Sequence, residues 1–206
     1  MKVSAICLGR PERLPGKSYK TGINKQPVSY PVHVDENGLV GDSICNRKYH
    51  GGHEQAVYLE GGKTLSWWAQ ELQREIAPGL FGENLVIDGL ENGDVCAGDR
   101  FVFAGGVVLE VTSPRVPCST FAAHMQDPLM VKRYTAAARP GIYCRVLTGG
   151  TFCAGEDVLF EPHVGERVRI ADVMVFQPKR MTPEQRERYL RAPLHAGMLS
   201  QLKEPI

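Results

Sequence analysis

Apolar positions in this chain fall mostly into short runs, and the runs are separated by glycine, proline, aspartate and asparagine. Near the start, KVSAICL places Val3, Ala5 and Cys7 on one side at a period of two, which is typical of a β-strand. Five later runs have the same brevity and composition, namely PVSYPVHV, ENLVI, DRFVFA, VVLEVT and IYCRVL. The AGG segment at residues 104–106 separates two of these runs and predicts a hairpin turn.

Three other segments have helical spacing. TLSWWAQELQREI carries an apolar stripe with Thr64 as its predicted N-cap, and the stripe consists of Leu65, Trp68, Ala69, Leu72 and Ile76. DPLMVKRYTAAA begins with Asp127 as N-cap and Pro128 in the first turn. TPEQRERYLRA begins in the same way with Thr182 and Pro183.

Many short strands with a few inserted helices predict a mainly β protein whose sheet closes into a barrel. A boundary near Gln177 divides the chain into a barrel domain at 1–177 and a short helical tail at 178–206, which Pro193 splits into two helices. The apolar residues of this tail need cover, and they are Leu190, Leu194, Met198 and Leu199. Either they pack on the barrel or they meet a second copy in a homodimer.

Composition and charge exclude several classes of partner. A hydrophobic fraction of 43% and a charged fraction of 23% are those of a globular domain with a full core. Lys and Arg total 24 against 23 Asp and Glu, so we expect neither a nucleic acid polymer nor a membrane as partner. The N-terminus does not resemble a signal peptide, and the six cysteines lack zinc-finger or C-x-x-C spacing. We therefore expect reduced thiols and a cytoplasmic protein.

Cys118 is the candidate for a reactive thiolate. It follows the strand-like run VVLEVT and begins a predicted short helix, three residues after Arg115. The positive end of the helix dipole and the arginine charge both favour the ionised thiol. Pro114 and Pro117 stiffen the approach and fix the direction of the sulfur. The alternative is a buried cysteine in a rigid loop.

The segment HGGHE combines two imidazoles with two glycines before an apolar run. Gly51 and Gly52 can adopt positive φ, which lets a ligand approach the main chain and lets successive N–H groups hold an anion. His50 and His53 are candidates for a catalytic acid and base. The alternative is a Gly-Gly turn with two solvated histidines.

Three more polar residues are candidates for a binding site. Lys25 lies beside a predicted strand, and Asn84 lies in the turn before another. Arg145 interrupts an apolar strand, so it needs a partner or an anionic ligand. A solvated lysine and a plain turn would explain the first two. Taken with Cys118 and Arg115, however, they indicate an anion-binding pocket with one soft ligand, which suits a transition metal or a redox cofactor.

At these residues the chain resembles a MOSC domain, the fold named for the C-terminal region of molybdenum cofactor sulfurases. The resemblance runs from about Gly22 to Gly165 and rests on five motifs in order: GINKQPV, GLVGDSICNRKYHGGHEQAVY, FGENL, AGDRFVFAGGVVLEVTSPRVPC and GIYCRVLTGG. The chain is most similar to the small stand-alone bacterial, YiiM-like branch, which has a short helical C-terminal appendage. Asn46 occupies a position where many relatives have aspartate.

The resemblance implies a β-barrel that binds the molybdenum–molybdopterin cofactor (Moco), with Cys118 as the protein ligand to molybdenum. It also implies that one pocket is lined by Lys25, His50, Gly51, Gly52, Asn84, Arg115 and Arg145, with His50 or His53 relaying protons. Relatives reduce small N-hydroxylated compounds, such as hydroxylaminopurines and amidoximes, with electrons from a separate flavin or iron–sulfur reductase.

Two other functions remain open at this point. One is a non-catalytic module that carries the pterin cofactor, or a sulfur atom on Cys118, without turnover. The other is a cofactor-free enzyme in which Cys118 is the nucleophile and His50 or His53 the base.

Overall fold

The chain folds into a mixed α/β structure with more strand than helix, and the computed structural model describes residues 1–46 and 50–204. Its strands, numbered in chain order, are β1 (Lys2–Gly9), β2 (Glu12–Arg13), β3 (Lys20–Thr21), β4 (Lys25–Val28), β5 (Val32–Asp35), β6 (Gly38–Leu39), β7 (Val57–Gly61), β8 (Leu85–Asp88), β9 (Arg100–Phe103), β10 (Val108–Pro114), β11 (Ile142–Thr148), β12 (Gly150–Phe152) and β13 (Val158–Glu161). Its helices are α1 (Gly62–Leu72), α2 (Ser119–Met125), α3 (Met130–Ala137), α4 (Ile170–Met174), α5 (Pro183–Arg191) and α6 (Ala196–Lys203). Short 3₁₀ turns lie at His53–Gln55, Asn92–Asp94 and Pro178–Arg180.

The main sheet has eight strands in the order β13, β9, β10, β11, β7, β8, β1 and β4. Neighbouring strands are antiparallel except for the parallel pair β7 and β8. The expected closed barrel is not detected in the described residues, because the ladder ends at β13 and β4. The start of β1 nevertheless lies beside β13, where Lys2 and Asp157 form an isolated bridge and Val3 N donates to Glu156 O at 2.9 Å. The sheet therefore curls back on itself without a second continuous ladder.

Local patterns predicted most strands at their observed positions. The hairpin at residues 104–106 is confirmed, since β9 and β10 pair with Val102 opposite Val108 and Gly106 has a φ of 89°. The run PVSYPVHV, however, is two strands rather than one. It divides into β4, in the main sheet, and β5, which pairs with β6 and β12 in a small sheet. Pro31 lies in the break, and its missing N–H explains why the ladder does not continue through it.

Two of the three helices begin at residues other than the predicted ones. Helix α1 begins at Gly62, and Gly61 rather than Thr64 is its N-cap. Thr64 is instead buried within the first turn, where its hydroxyl donates to Glu91 Oε1 at 2.8 Å and accepts from Asn92 N at 2.9 Å. The threonine was mistaken for a cap because it joins α1 to a distant loop, and no local signal shows that contact.

The other two helix starts contain the predicted proline turns. Helix α3 begins at Met130, later than predicted, and Asp127 accepts a hydrogen bond from Leu129 N at 2.8 Å in the preceding turn. Helix α5 begins as predicted, since Thr182 and Gln185 form a capping box.

Two apolar clusters hold the sheet and the helices together. The larger lies within the curled sheet and contains Phe101, Phe103 and Leu109. The smaller lies where helices α1, α2 and α3 cover the sheet, and its centre is aromatic. There the rings of Trp68 and Tyr134 stack with centroids 5.7 Å apart. This aromatic cluster forms the floor beneath the site described below.

The C-terminal helices pack on the same chain. Leu194 is buried, and Met198 and Leu199 pack with it against a cluster that includes Val168 and Val173. The homodimer stays a prediction, but these three residues already have cover, whereas Leu190 is 37% exposed. The division at Gln177 also stays a prediction. No helix in the described ranges has the length and apolarity needed to span a membrane.

Candidate functional site

A cavity of about 570 Å³ lies at one end of the curled sheet, and we call it the site cavity. Its wall includes residues 19–23, 44–46 and 115–120, which approach from three separate parts of the chain. Six of the predicted site residues line it: Lys25, His50, Gly51, Asn84, Arg115 and Cys118. The motif segments are far apart in sequence, and the fold brings them to one site.

Cys118 is the N-cap residue of α2 and is half-buried. Burial by itself would raise the pKa of the Cys118 thiol. A hydrogen bond from His50, the backbone N–H groups of Phe121 and Thr120, and the charge of Arg115 together outweigh burial and lower that pKa from 9.0 to about 6. The structure therefore favours a thiolate at neutral pH, which is the form that attacks carbon and binds metals.

His50 is held between Cys118 and the wall of the site cavity. Its backbone N–H donates to Asn46 O at 3.1 Å, which fixes the main chain just after residues 47–49, outside the described ranges. Its Nδ1 lies 3.4 Å from the Tyr143 hydroxyl. The imidazole thus lowers the pKa of the Cys118 thiol and also lies beside the half-buried Tyr143.

The two glycines after His50 differ in their surroundings. Gly51 and Gly52 both have a φ of 78°, a region that disfavours other residues. A Cβ on Gly51 would lie 2.8 Å from Ile44 Cδ1, so this position also lacks space for a side chain. Gly52 has open space around it and is not among the residues lining the site cavity. Gly51 therefore lines the site cavity, but the Ile44 side chain fills the space beside its Cα, so close approach of a ligand to the main chain stays a prediction.

Lys25 and Asn84 meet at an aspartate that the sequence did not single out. Lys25 Nζ lies 2.5 Å from both carboxylate oxygens of Asp42, and both side chains are only 7% exposed. Asn84 Nδ2 donates to Asp42 Oδ2 at 2.9 Å, and Gly9 N donates to Asp42 Oδ1 at 2.7 Å. The charge of Lys25 is therefore compensated within the protein. These residues shape the cavity wall more than they supply free positive charge.

Arg115 is a buried cation in the wall that has no carboxylate within ion-pair distance among the described residues. Only 5% of the residue is exposed, and its guanidinium carbon lies 3.8 Å from the ring centroid of Phe121 and 5.3 Å from that of Tyr134. Its Nη1 atom is buried and has no hydrogen-bond partner in the described part of the chain. Aromatic faces offset only part of the cost of burying a cation. An anion in the site cavity would supply the missing partner.

The structure does not bring His53 or Arg145 to the site cavity. His53 is exposed at the start of a 3₁₀ turn. Arg145 Nη1 lies 2.8 Å from Glu54 Oε1, its Nε lies 3.4 Å from Glu110 Oε1, and its Nη2 donates to Pro193 O at 3.1 Å. The partners that the sequence required for Arg145 are thus two carboxylates and a carbonyl of the same chain.

Two tyrosines and one aspartate of the wall were missed by sequence reasoning. Tyr58 and Tyr143 lie opposite each other on β7 and β11, with ring centroids 5.4 Å apart. They were interpreted only as apolar strand positions, although buried tyrosines require a hydrogen-bond partner. Asp42 follows a glycine in the motif GLVGDS, and that glycine was the feature of the sequence that could have identified Asp42 as a site residue.

A metal ion in this site would need ligands from outside the protein. The described residues contain no group of three or more His, Cys, Asp or Glu placed to hold a metal ion. Cys118 is therefore a candidate for a single protein ligand to a metal that a cofactor also holds. The site as a whole is a half-buried thiolate beside a histidine and a buried arginine.

Comparison with known proteins identifies the family to which this chain belongs. The MOSC domain profile matches residues 46–159, more than half of the chain, and the chain belongs to the MOSC domain family. YflK of Bacillus subtilis (strain 168) is 33% identical over 158 residues, which are 76% of this chain and 71% of YflK. The solved structure of YiiM from Geobacillus stearothermophilus is 25% identical and has a TM-score of 0.79, over 98% of this chain and 97% of that one. These findings confirm the resemblance that the motifs indicated.

A third relative has a name that describes an activity. A protein named "Reductase" in Gibberella moniliformis (strain M3125 / FGSC 7600) is 32% identical over 146 residues. The match covers 69% of this chain but 26% of the fungal protein, so the chain corresponds to about a quarter of it.

Proposed function

We propose that this chain is an oxidoreductase that binds Moco in the site cavity and reduces small N-hydroxylated compounds. Electrons would come from a separate flavin or iron–sulfur reductase. The observation that carries the proposal is Arg115, a buried cation with a free donor, next to the Cys118 thiolate in one cavity. Membership in the MOSC family and the name of the fungal relative support the oxidoreductase class.

The residues present fit two groups of this cofactor, the metal and the phosphate of the pterin. Cys118 offers a thiolate, which is a soft ligand suited to a transition metal. Arg115 offers unpaired N–H donors to the phosphate of the pterin, and arginine binds phosphate well. Gly51 lines the site cavity in a backbone conformation that disfavours any side chain.

Each residue has a stated task in the proposed reaction. The bound cofactor supplies a metal that takes up two electrons and passes them to the N–O bond. Cys118 holds the metal, Arg115 neutralises the phosphate, and His50 holds a proton near the substrate oxygen. The balance is one N–OH group, two electrons and two protons, giving one N–H group and one water molecule.

Metal and pterin analysis of the protein, expressed in a host that makes the cofactor, tests the first step. We expect about one molybdenum per chain in the wild type and in Cys153→Ser, which removes an exposed thiol that is not among the residues lining the site cavity. Cys118→Ser should lose the metal. Equal molybdenum in Cys118→Ser and Cys153→Ser would overturn the assignment of the ligand.

Turnover is tested with a hydroxylaminopurine or an amidoxime and an added flavin reductase. We expect reduction by the wild type and at least a hundredfold slower reduction by Cys118→Ser. Molybdenum without turnover on any N-hydroxylated compound would instead favour the carrier function.

One observation favours the cysteine-nucleophile alternative. His50 and Cys118 both line the site cavity, and a histidine that lowers the pKa of a nearby thiol resembles the activated thiols of cofactor-free enzymes. Under this alternative, protein from a host without the cofactor would keep full activity, and iodoacetamide would abolish it. Loss of activity in the cofactor-free host favours the molybdenum-dependent reaction.

A further inference from the structure

We propose that Tyr58 and Glu60 form a proton relay behind the site cavity, in which Glu60 stores a proton away from solvent and Tyr58 delivers it to the substrate. This inference rests on the proposed function, because reduction of an N–OH group consumes two protons. It assigns Tyr58 as a catalytic residue that faces the substrate, and Glu60 as a residue that acts through Tyr58.

The two residues form a direct chain from the cavity wall to the interior. They are two positions apart on β7, so their side chains point to the same side of the strand. Tyr58 lines the site cavity, and its hydroxyl donates to Glu60 Oε1 at 2.6 Å. The Glu60 side chain is fully buried. With Glu60 ionised the tyrosine donates to it; with Glu60 protonated this hydrogen bond reverses, so that the carboxyl group donates to the Tyr58 oxygen and the Tyr58 hydroxyl is free to donate into the site cavity.

The hydrogen bonds to Glu60 come from neutral groups. Asn92 Nδ2 donates to Oε2 at 2.5 Å, and the Tyr134 hydroxyl donates to Oε1 at 3.3 Å. Tyr134 itself accepts from Gly141 N at 2.6 Å. No lysine or arginine lies within ion-pair distance of Glu60 in the described ranges. A buried carboxyl group held by neutral donors is suited to carrying a proton.

The charged groups around Glu60 set the pH at which it holds that proton. Burial raises the pKa of Glu60 to about 7, although hydrogen bonds from Tyr58 and Asn92, the charge of Arg115 and the hydroxyl of Tyr134 oppose the rise. The second buried carboxyl group, that of Glu83, has its pKa raised to about 8 by burial and by the charge of Glu60. Near neutral pH, about half of the molecules carry a proton on Glu60.

Tight packing keeps the relay direct. A Cβ added to Gly141 would lie 2.3 Å from Tyr58 Cε2, 2.6 Å from Glu60 Oε1 and 2.7 Å from the Tyr58 hydroxyl. The backbone of Gly141 therefore presses against the hydrogen bond from one side and leaves no space for a water molecule there. We infer that the proton moves between the two side chains without a solvent bridge.

The step balances as follows. The external reductase supplies two electrons, and the N–O bond breaks. Tyr58 gives its hydroxyl proton to the departing oxygen while Glu60 gives its carboxyl proton to Tyr58, so the tyrosine ends unchanged and Glu60 ends as a carboxylate. His50 supplies the second proton, and the oxygen leaves as water. Solvent in the site cavity then returns a proton to Glu60 through Tyr58.

The test compares Tyr58→Phe and Glu60→Gln with the wild type, each loaded with cofactor and supplied with reductase. We expect unchanged molybdenum content, a KM within about twofold, and a kcat reduced by at least tenfold, since a positioned general acid contributes about 10²- to 10⁴-fold. The fall in kcat above about pH 7 should disappear in Glu60→Gln. Tyr189→Phe, which changes a half-buried tyrosine of α5, is the matched control and should retain the wild-type profile.

A second measurement detects the proton on Glu60 directly and does not require turnover. Infrared difference spectra of the cofactor-free protein should show a protonated carboxyl band that fades as the pH rises through about 7 and is missing in Glu60→Gln. Glu83→Gln identifies the band of the other buried carboxyl group. If Glu60→Gln retains every such band, the relay is wrong.

The two proposals fail in different ways. A wild-type protein without molybdenum or without N–OH reduction contradicts the proposed function, while the infrared band still reports whether Glu60 stores a proton. An active wild type whose pH profile and kcat persist in both variants contradicts the relay and leaves the proposed function intact.

Discussion

Ionisation of Cys118 in the cofactor-free protein is the property that the site geometry predicts most directly. With a pKa of about 6 instead of 9.0, roughly nine thiols in ten are ionised at pH 7, against about one in a hundred for an unperturbed cysteine. Replacing His50 with alanine removes the hydrogen bond that contributes most to lowering the pKa, so the titration should move toward higher pH.

Alkylation by iodoacetamide measures this ionisation, because only the thiolate reacts at an appreciable rate. The rate at Cys118 is followed by peptide mass spectrometry from pH 4 to 10, with the exposed Cys153 of the same molecule as reference. We expect a midpoint near pH 6 in the wild type and a clearly higher one in His50→Ala. A common midpoint of about 8.5 or above in both proteins would refute the reasoning.

The same pKa shift makes folding stability depend on pH. The pKa of Cys118 is lower in the folded state than in the unfolded state, so the folded protein binds fewer protons between about pH 6 and 9. The stability difference between wild type and Cys118→Ser should therefore grow as pH rises through this window, and it should be lost as pH falls below about 6. One proton corresponds to about 1.4 kcal/mol per pH unit at most, and partial exposure of the thiol reduces that to about half or less. Urea unfolding at several pH values measures it.

Three further changes test the packing around the site. Arg145→Ala should lower the free energy of unfolding by about 1–3 kcal/mol in urea, because it leaves the partly buried Glu54 without its ion-pair partner and removes one of the two arginines beside Glu110, whereas Arg100→Ala, which removes a half-exposed arginine, should cost less than about 1 kcal/mol; equal losses would contradict this. Gly141→Ala should cost about 1–3 kcal/mol or more by overpacking, and Gly93→Ala, with its nearest neighbour at 3.6 Å, should cost about 1 kcal/mol or less. Thr182→Ala should cost about 1 kcal/mol and lower amide protection in α5, and unchanged hydrogen exchange there would disprove the role of its capping box.

Patterns in the sequence were sufficient to predict elements whose stabilising residues are close together in the chain. Short apolar runs located β1, β4, β5, β8, β9, β10 and β11, a glycine turn located the β9–β10 hairpin, and a capping box located α5. They failed where a distant contact decides the outcome. Thr64 was mistaken for a cap because its partners, Glu91 and Asn92, lie across the fold. Barrel closure also depends on contacts between the two ends of a long chain segment, and strand patterns do not specify them.

The candidate site was predictable in part, because motif order identifies residues but not their partners. Cys118 and Arg115 were found from the chemistry of one short segment, and the structure places both at the site cavity. The sequence identified Lys25 but not its partner Asp42, so it did not predict that the charge of Lys25 is compensated by an ion pair. Glu60 directly follows the apolar run after HGGHE and lies in β7, so a charged residue at the end of an apolar run was a signal that could have identified it.

The ion pair between Arg145 and Glu54 belongs to a set of contacts through which the C-terminal helices support the segment that carries His50. Glu54 follows His50 by four positions, and its second oxygen accepts a hydrogen bond from Ala196 N at 2.9 Å at the start of α6. The C-terminal helices thus brace the segment that presents the imidazole, although they lie outside the cavity wall. A version of this protein without the C-terminal helices would keep every residue that lines the site cavity, but the loop that presents His50 would lose this support.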